Sequence, residues 1–104
     1  MNMIPDDAGE LYGTVAPMFD GLDEAALIEG TLRDMCFYTV QIKGLQRTIE
    51  REGSIVDTPK GDRPHPAATL MHQYMADKNA CLKTLLPLLK ATGRKDALME
   101  FLNG

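Results

Sequence analysis

Tryptophan is absent from this chain, and three Tyr with three Phe make up all its aromatic residues. A core built from it is light and mostly aliphatic. Only two cysteines occur, Cys36 and Cys81. They are too few and too far apart for a disulfide framework, so both are read as small apolar packing residues in a reduced, intracellular setting. No long uncharged apolar run is present and the mean hydropathy is -0.19, which argues against a membrane span. The opening Met1 to Asp7 has neither a basic residue nor an apolar stretch, so it does not read as a signal peptide.

Positive charge is also missing from the first third. Residues 1–32 hold no Lys or Arg and seven acids: Asp6, Asp7, Glu10, Asp20, Asp23, Glu24 and Glu29. All eleven bases fall in residues 33–104, against eight acids. An acidic lead on a mildly basic body is compatible with nucleic-acid contact without requiring it. Pro5, Gly9, Gly13, Pro17 and Gly21 recur too often here for a stable helix, although Ala8 to Tyr12 fits one turn. Ile4, Leu11, Tyr12, Val15, Met18 and Phe19 are too apolar for a disordered tail. Residues 1–21 are therefore expected to form an extended acidic arm docked on the body or on a neighbouring subunit.

The body, residues 22–104, is organised around Arg51 to Ala67. Gly53, Pro59, Gly61, Pro64 and Pro66 break any helix there. A long helix is expected before this elbow, from about Leu22 to Glu52, with Asp20 as N-cap, Asp23 and Glu24 in the first turn, and Gly53 as the C′ residue. A second helix opens at Pro66, where a missing N–H costs nothing. Pro87 should kink it or end it early, and Gly93 closes it. Within the elbow, Ser54 to Val56 suits an extended piece and Thr58-Pro59-Lys60-Gly61 a tight turn, which admits a small β-hairpin with Arg63 on its return arm. A short last helix, about Asp96 to Leu102, is expected with Asp96 as its cap. The fold class is thus all-α: a long antiparallel helical hairpin, a short C-terminal helix and a small β-turn at the elbow.

Along the first long helix, Ala25, Ile28, Leu32, Met35, Thr39, Ile42, Gln46 and Ile49 alternate three and four apart, the spacing of a heptad seam. Thr39 and Gln46 interrupt it with polar groups that can fix register or partner number. Phe37, Val40 and Gly44 lie away from the seam. A helix with two apolar stripes needs two sets of partners, and a chain this small encloses little core alone. Self-association is the economical solution, with Leu32, Met35, Phe37, Val40, Ile42, Gly44 and Ile49 as interface candidates.

Catalytic and metal constellations are not found. His65 and His72 are seven residues apart with no Cys or carboxylate at ligand spacing, and no HxxxH or CxxC pattern occurs. Capping or surface roles suit both better than a metal site. Lys60-Gly61 lacks the spacing of a phosphate loop, and Ser54 lacks a nucleophile-elbow context. No enzymatic activity and no cofactor are expected. Lys43, Arg47 and Arg51 form an i, i+4, i+8 ridge, with Glu50 available as compensation for Arg47. The ridge reads either as a solvated face with intrahelical pairs or as a phosphate-contacting or subunit-bridging stripe. Lys90, Arg94 and Lys95 make a second, smaller basic cluster.

The end of the long helix into Glu52-Gly53-Ser54-Ile55-Val56, then Gly61, then His65-Pro66-Ala67 opening a second helix, resembles the small subunit of bacteriophage terminases. The resemblance spans about residues 20–92. Where family members often end the second helix in a Gly-Leu-Thr-Pro-like segment, this chain has Lys90-Ala-Thr-Gly-Arg-Lys95. The resemblance implies a non-catalytic part of a viral DNA-packaging motor in the bacterial host cytoplasm. Such a part forms rings through helical hairpins, presents double-stranded viral DNA and regulates a large subunit that holds the ATPase and nuclease. DNA contact would then be phosphate-directed, through Lys43, Arg47, Arg51, Lys60, Arg63, Arg94 and Lys95. The alternative reading is a dimeric helical adaptor or regulator that acts by protein–protein contact without binding DNA.

Overall fold

A computed structural model describes residues 4–22, 25–90 and 92–103. Among them are four α-helices, a 3-10 turn and one two-stranded antiparallel sheet. In chain order these are α1 (Ala8–Val15), the 3-10 turn (Ala16–Phe19), α2 (Ala25–Glu52), β1 (Ile55–Thr58), β2 (Gly61–Pro64), α3 (Pro66–Lys90) and α4 (Lys95–Asn103). The principal extents are 56 × 25 × 21 Å, a rod set by the length of α2 and α3.

The N-terminal segment departs from the expected extended arm. It is helical, and Leu11 and Val15 are completely buried in the same core as α2, α3 and α4. Asp7 supplies the start signal, its Oδ1 accepting from the Glu10 N–H at 3.0 Å. Gly9 fits this cap closely, since a Cβ there would lie 3.0 Å from Asp7 Oδ1. Pro17 does not interrupt α1, because it follows Val15 and opens the 3-10 turn, where its missing N–H has no role. Burying Leu11 and Val15, four apart on one face, outweighs the low helix propensity of the glycines.

The start of α2 is also revised. Asp20 is extended and closes the 3-10 turn, its N–H donating to the Pro17 carbonyl, so it is not the N-cap of the long helix. The expectation for Asp23 and Glu24 falls outside the described residues. Ile28, Leu32, Met35, Thr39 and Ile42 of the heptad seam are buried as a continuous stripe. This seam is consumed within the chain: Leu11 and Val15 of α1, Leu82, Leu85 and Leu89 of α3, and Leu98 and Leu102 of α4 complete its cluster. Thr39 is satisfied by its own helix, its hydroxyl donating to the Met35 carbonyl at 2.7 Å, and Gln46 is exposed.

Helices α2 and α3 form the largest packing surface of the molecule. Glu52 meets His65, Tyr38 meets Tyr74, and Leu32 and Met35 share the core with Leu82 and Leu85. Gly53 adopts φ +85, and its N–H donates to the Ile49 carbonyl at 2.7 Å, ending α2 as expected of a C′ glycine. Helix α3 does not end early at Pro87 but continues to Lys90, held by the completely buried Leu85 and Leu89 on either side. At α4 the helix begins at Lys95, so Asp96 stands in the first turn, favourable to the helix dipole, rather than at the cap.

Candidate functional site

Three surfaces carry the candidate residues: the elbow, the basic edge of α2, and the open side of the α2–α3 pair. The elbow is an antiparallel strand pair with Ile55 opposite Pro64, Val56 opposite Arg63, Asp57 opposite Asp62 and Thr58 opposite Gly61. The Thr58 hydroxyl donates to the Gly61 carbonyl at 2.5 Å and accepts from the Lys60 N–H, closing the turn. Every residue of β2 is exposed, and Ile55 is 63% exposed. The strands pack on each other and hardly on the helices. Asp57 and Asp62 face one another directly, a like-charge pair that adds no stability to the hairpin. What fixes the elbow is its root. The His65 N–H donates to the Ser54 carbonyl at 2.8 Å, and His65 Nδ1 accepts from the Ala67 N–H at 2.9 Å as the cap of α3. With Nδ1 accepting, the ring proton lies on Nε2, which faces Glu52 Oε1 at 3.3 Å. His65 is thus a joint between the two long helices, and His72 is exposed on α3.

The elbow presents Lys60 at its tip and Arg63 on β2, as expected. Among the described residues neither is in an ion pair. The other candidate cations are placed differently. Lys43 Nζ and Arg47 Nη1 both lie 3.0 Å from Asp6 Oδ1, and Lys43 also donates to the Ile4 carbonyl. These cations, led by the Lys43 hydrogen bond, hold the Asp6 carboxyl below its ordinary range. Compensation of the ridge therefore comes from Asp6, far away in sequence, and not from the Glu50 expected at helical spacing. Arg51 pairs with the neighbouring Glu52 at 3.0 Å, and that contact, followed by His65, lowers the Glu52 carboxyl. Arg94 is taken by structure: its guanidinium donates to the Met18 carbonyl at 2.8 Å and the Asp20 carbonyl at 3.2 Å, tying the 3-10 turn to the start of α4. Lys95 is exposed. Of the seven cations expected to meet DNA, Lys60, Arg63 and Lys95 are exposed and in no ion pair among the described residues, Arg51 is exposed but paired, and Lys43, Arg47 and Arg94 hold the N-terminal segment.

The interface candidates divide in the same way. Leu32, Met35 and Ile42 belong to the chain's own core, Val40 packs against it, and Ile49 is half-buried. Phe37 remains, 45% exposed, with Gly44, whose Cβ position would meet nothing within 4 Å. Sequence reasoning missed the aromatic group around Phe37. Its ring stands perpendicular to Tyr74 at 6.1 Å and edge-on to Tyr38 at 5.7 Å, and Tyr38 and Tyr74 lie 5.7 Å apart. Leu27 and Leu70 are further exposed apolar residues of these two helices. The signal for Tyr38 was its position, adjacent to Phe37 and off the seam. Partial burial first, then Asp77 and Asp34, raise the Tyr38 phenol. The same burial and the same acids raise the Cys81 thiol, while burial pushes Cys36 up to about 12. Neither thiol is poised as a nucleophile.

Beside the basic edge lies a groove of about 440 Å³ lined by Ile42, Lys43, Gln46, Met75, Lys78 and Asn103 among others. Burial lowers the Lys78 ammonium. No three His, Cys, Asp or Glu side chains gather as a metal set among the described residues, and no described helix is long and apolar enough to cross a membrane. No family model matches the chain, and neither a curated protein nor a solved structure matches it.

Proposed function

We propose that this chain is the non-catalytic small subunit of a phage DNA-packaging terminase. In this reading α2 and α3 form an antiparallel hairpin that self-associates, presents double-stranded viral DNA to a large motor subunit and regulates it. The observation that carries the reading is the elbow. The residues behind the resemblance, Glu52 to Val56, Gly61 and His65 to Ala67, make one local device: a C′ glycine, a projecting strand pair and a histidine-capped second helix. That device offers Lys60 and Arg63 to solvent beyond the helical body, where a phosphate backbone can reach them. Self-association uses the open side with Phe37, Tyr38 and Tyr74, because the heptad seam is already filled.

The deciding experiment is native mass by light scattering on a sizing column, at low and high salt. A mass of many subunits that survives salt supports a ring held by apolar contact. A monomer or dimer at both salts removes the ring from the account. A second reading, a dimeric adaptor acting by protein contact alone, draws on the exposed aromatic group and the net charge of -4. It requires that duplex DNA shows no affinity for the chain at low salt.

A further inference from the structure

We propose that the Lys43–Arg47 edge of α2 is a phosphate-binding surface for duplex DNA that the chain's own Asp6 covers in the free protein. The proposal rests on the DNA-handling reading above and adds to it an internal competitor. Two cations from successive turns of α2 converge on a single carboxylate oxygen, Asp6 Oδ1, each at 3.0 Å. A phosphate oxygen makes the same kind of contact with Lys and Arg, so Asp6 stands where a backbone phosphate would. One turn further, Arg51 is exposed and paired with Glu52 at the end of α2 that leads into the elbow. A phosphate backbone that follows this ridge along α2 therefore runs into the Asp6 contact.

The contact is built to be exchanged. The Asp6 side chain is 68% exposed and that of Arg47 57% exposed, so water and salt screen their attraction. Lys43 differs: its side chain is 15% exposed and it also donates to the Ile4 carbonyl, so it stays with the N-terminal segment. Arg47 is the group released. Glu50, which lines a shallow depression with Lys43, Gln46 and Arg47, stays on the same face and opposes the incoming phosphate. A single lost carboxylate thus sets the difference between a covered and an open edge.

The test is duplex binding by the full-length chain, read as fluorescence anisotropy of a short labelled duplex across a salt series. Asp6→Asn should tighten binding at low salt by about threefold or more, and one freed cation should steepen the slope of log K against log salt by about one. Glu10→Gln removes the same charge from the N-terminal helix at an exposed site with no ion pair among the described residues, and should leave the slope at the wild-type value. In an Arg47→Gln background, Asp6→Asn should give no gain beyond that of Glu10→Gln. If wild-type protein binds duplex and Asp6→Asn matches it in affinity and slope, the covered edge is overturned and the DNA reading stands. If neither protein binds duplex at low salt, both fall.

Discussion

At one end of the rod, α1, the 3-10 turn and α4 close over α2 and α3, and Leu11, Val15, Leu85, Leu89 and Leu98 are sealed from water. At the other end the elbow carries a strand pair with one fully exposed strand, an exposed isoleucine and two acids face to face. The first end holds the apolar burial that stabilises the chain. The second is held only at its root, by Gly53 and His65. A two-stranded hairpin is marginal on its own, so the elbow keeps its shape because the helices fix where it starts and stops. The charges follow this division in part: Lys43, Arg47 and Arg94 tie down the N-terminal segment, while Lys60 and Arg63 at the elbow are in no ion pair among the described residues.

Removing side chains from the two ends should separate them sharply. Leu11→Ala opens a cavity in the sealed end and should cost about 2–5 kcal/mol of unfolding free energy in urea. A loss within the range of surface substitutions would mean that α1 is a dispensable arm. At the root of the elbow, Gly53→Ala places a Cβ at φ +85 and should cost about 1–2 kcal/mol by the same measurement. His65→Ala leaves the Ala67 N–H without its cap and should cost about 1 kcal/mol. Beyond the root, Ile55→Ser should stay within about 0.5 kcal/mol, because the side chain is largely in water already. If Ile55→Ser destabilises as much as His65→Ala, the strand pair is packed on something and the contrast between the ends is wrong.

The elbow was legible because its signals are local. Gly53, the turn from Thr58 to Gly61 and Pro66 each act within a few residues, and the seam from Ile28 to Ile42 declares itself by spacing. The N-terminal helix was not legible, because Gly9, Gly13 and Pro17 count as breakers until the burial of Leu11 and Val15 is known. Helix ends were missed for a related reason. Asp20 and Asp96 look like caps in isolation, but the chain turns elsewhere. The basic ridge misled most. Its spacing on α2 is real, yet its partner is Asp6 and not Glu50, and no rule of helical spacing links positions so distant. The apolar residues Ile4, Leu11, Val15 and Phe19 were the hint that the lead would dock on the body, and they could not name the Asp6 contact.

Among the described residues the two regions each contain one depressed carboxylate, and titrating them gives the finest test of the contrast. Asp6 is lowered from its ordinary 3.8 first by the Lys43 hydrogen bond, and Glu52 from 4.5 first by Arg51 and then by His65. A carboxylate lowered in the folded state contributes stability that is full above its unfolded value and fades as pH falls through the folded one. For Glu52 the loss begins below pH 4.5, and for Asp6 below pH 3.8. Both groups lie in water, so both effects are small beside the core substitutions, and site-resolved NMR titration is the suitable readout. Each inflection should fall below its ordinary value. Arg47→Gln should return that of Asp6 only part of the way, because Lys43 remains, and should leave Glu52 unmoved. Arg51→Gln should do the reverse. An Asp6 inflection at its ordinary value in the wild-type protein would show that the N-terminal segment does not rest on the α2 ridge in solution, and the sealed end would then have to hold by apolar contact and the Arg94 hydrogen bonds.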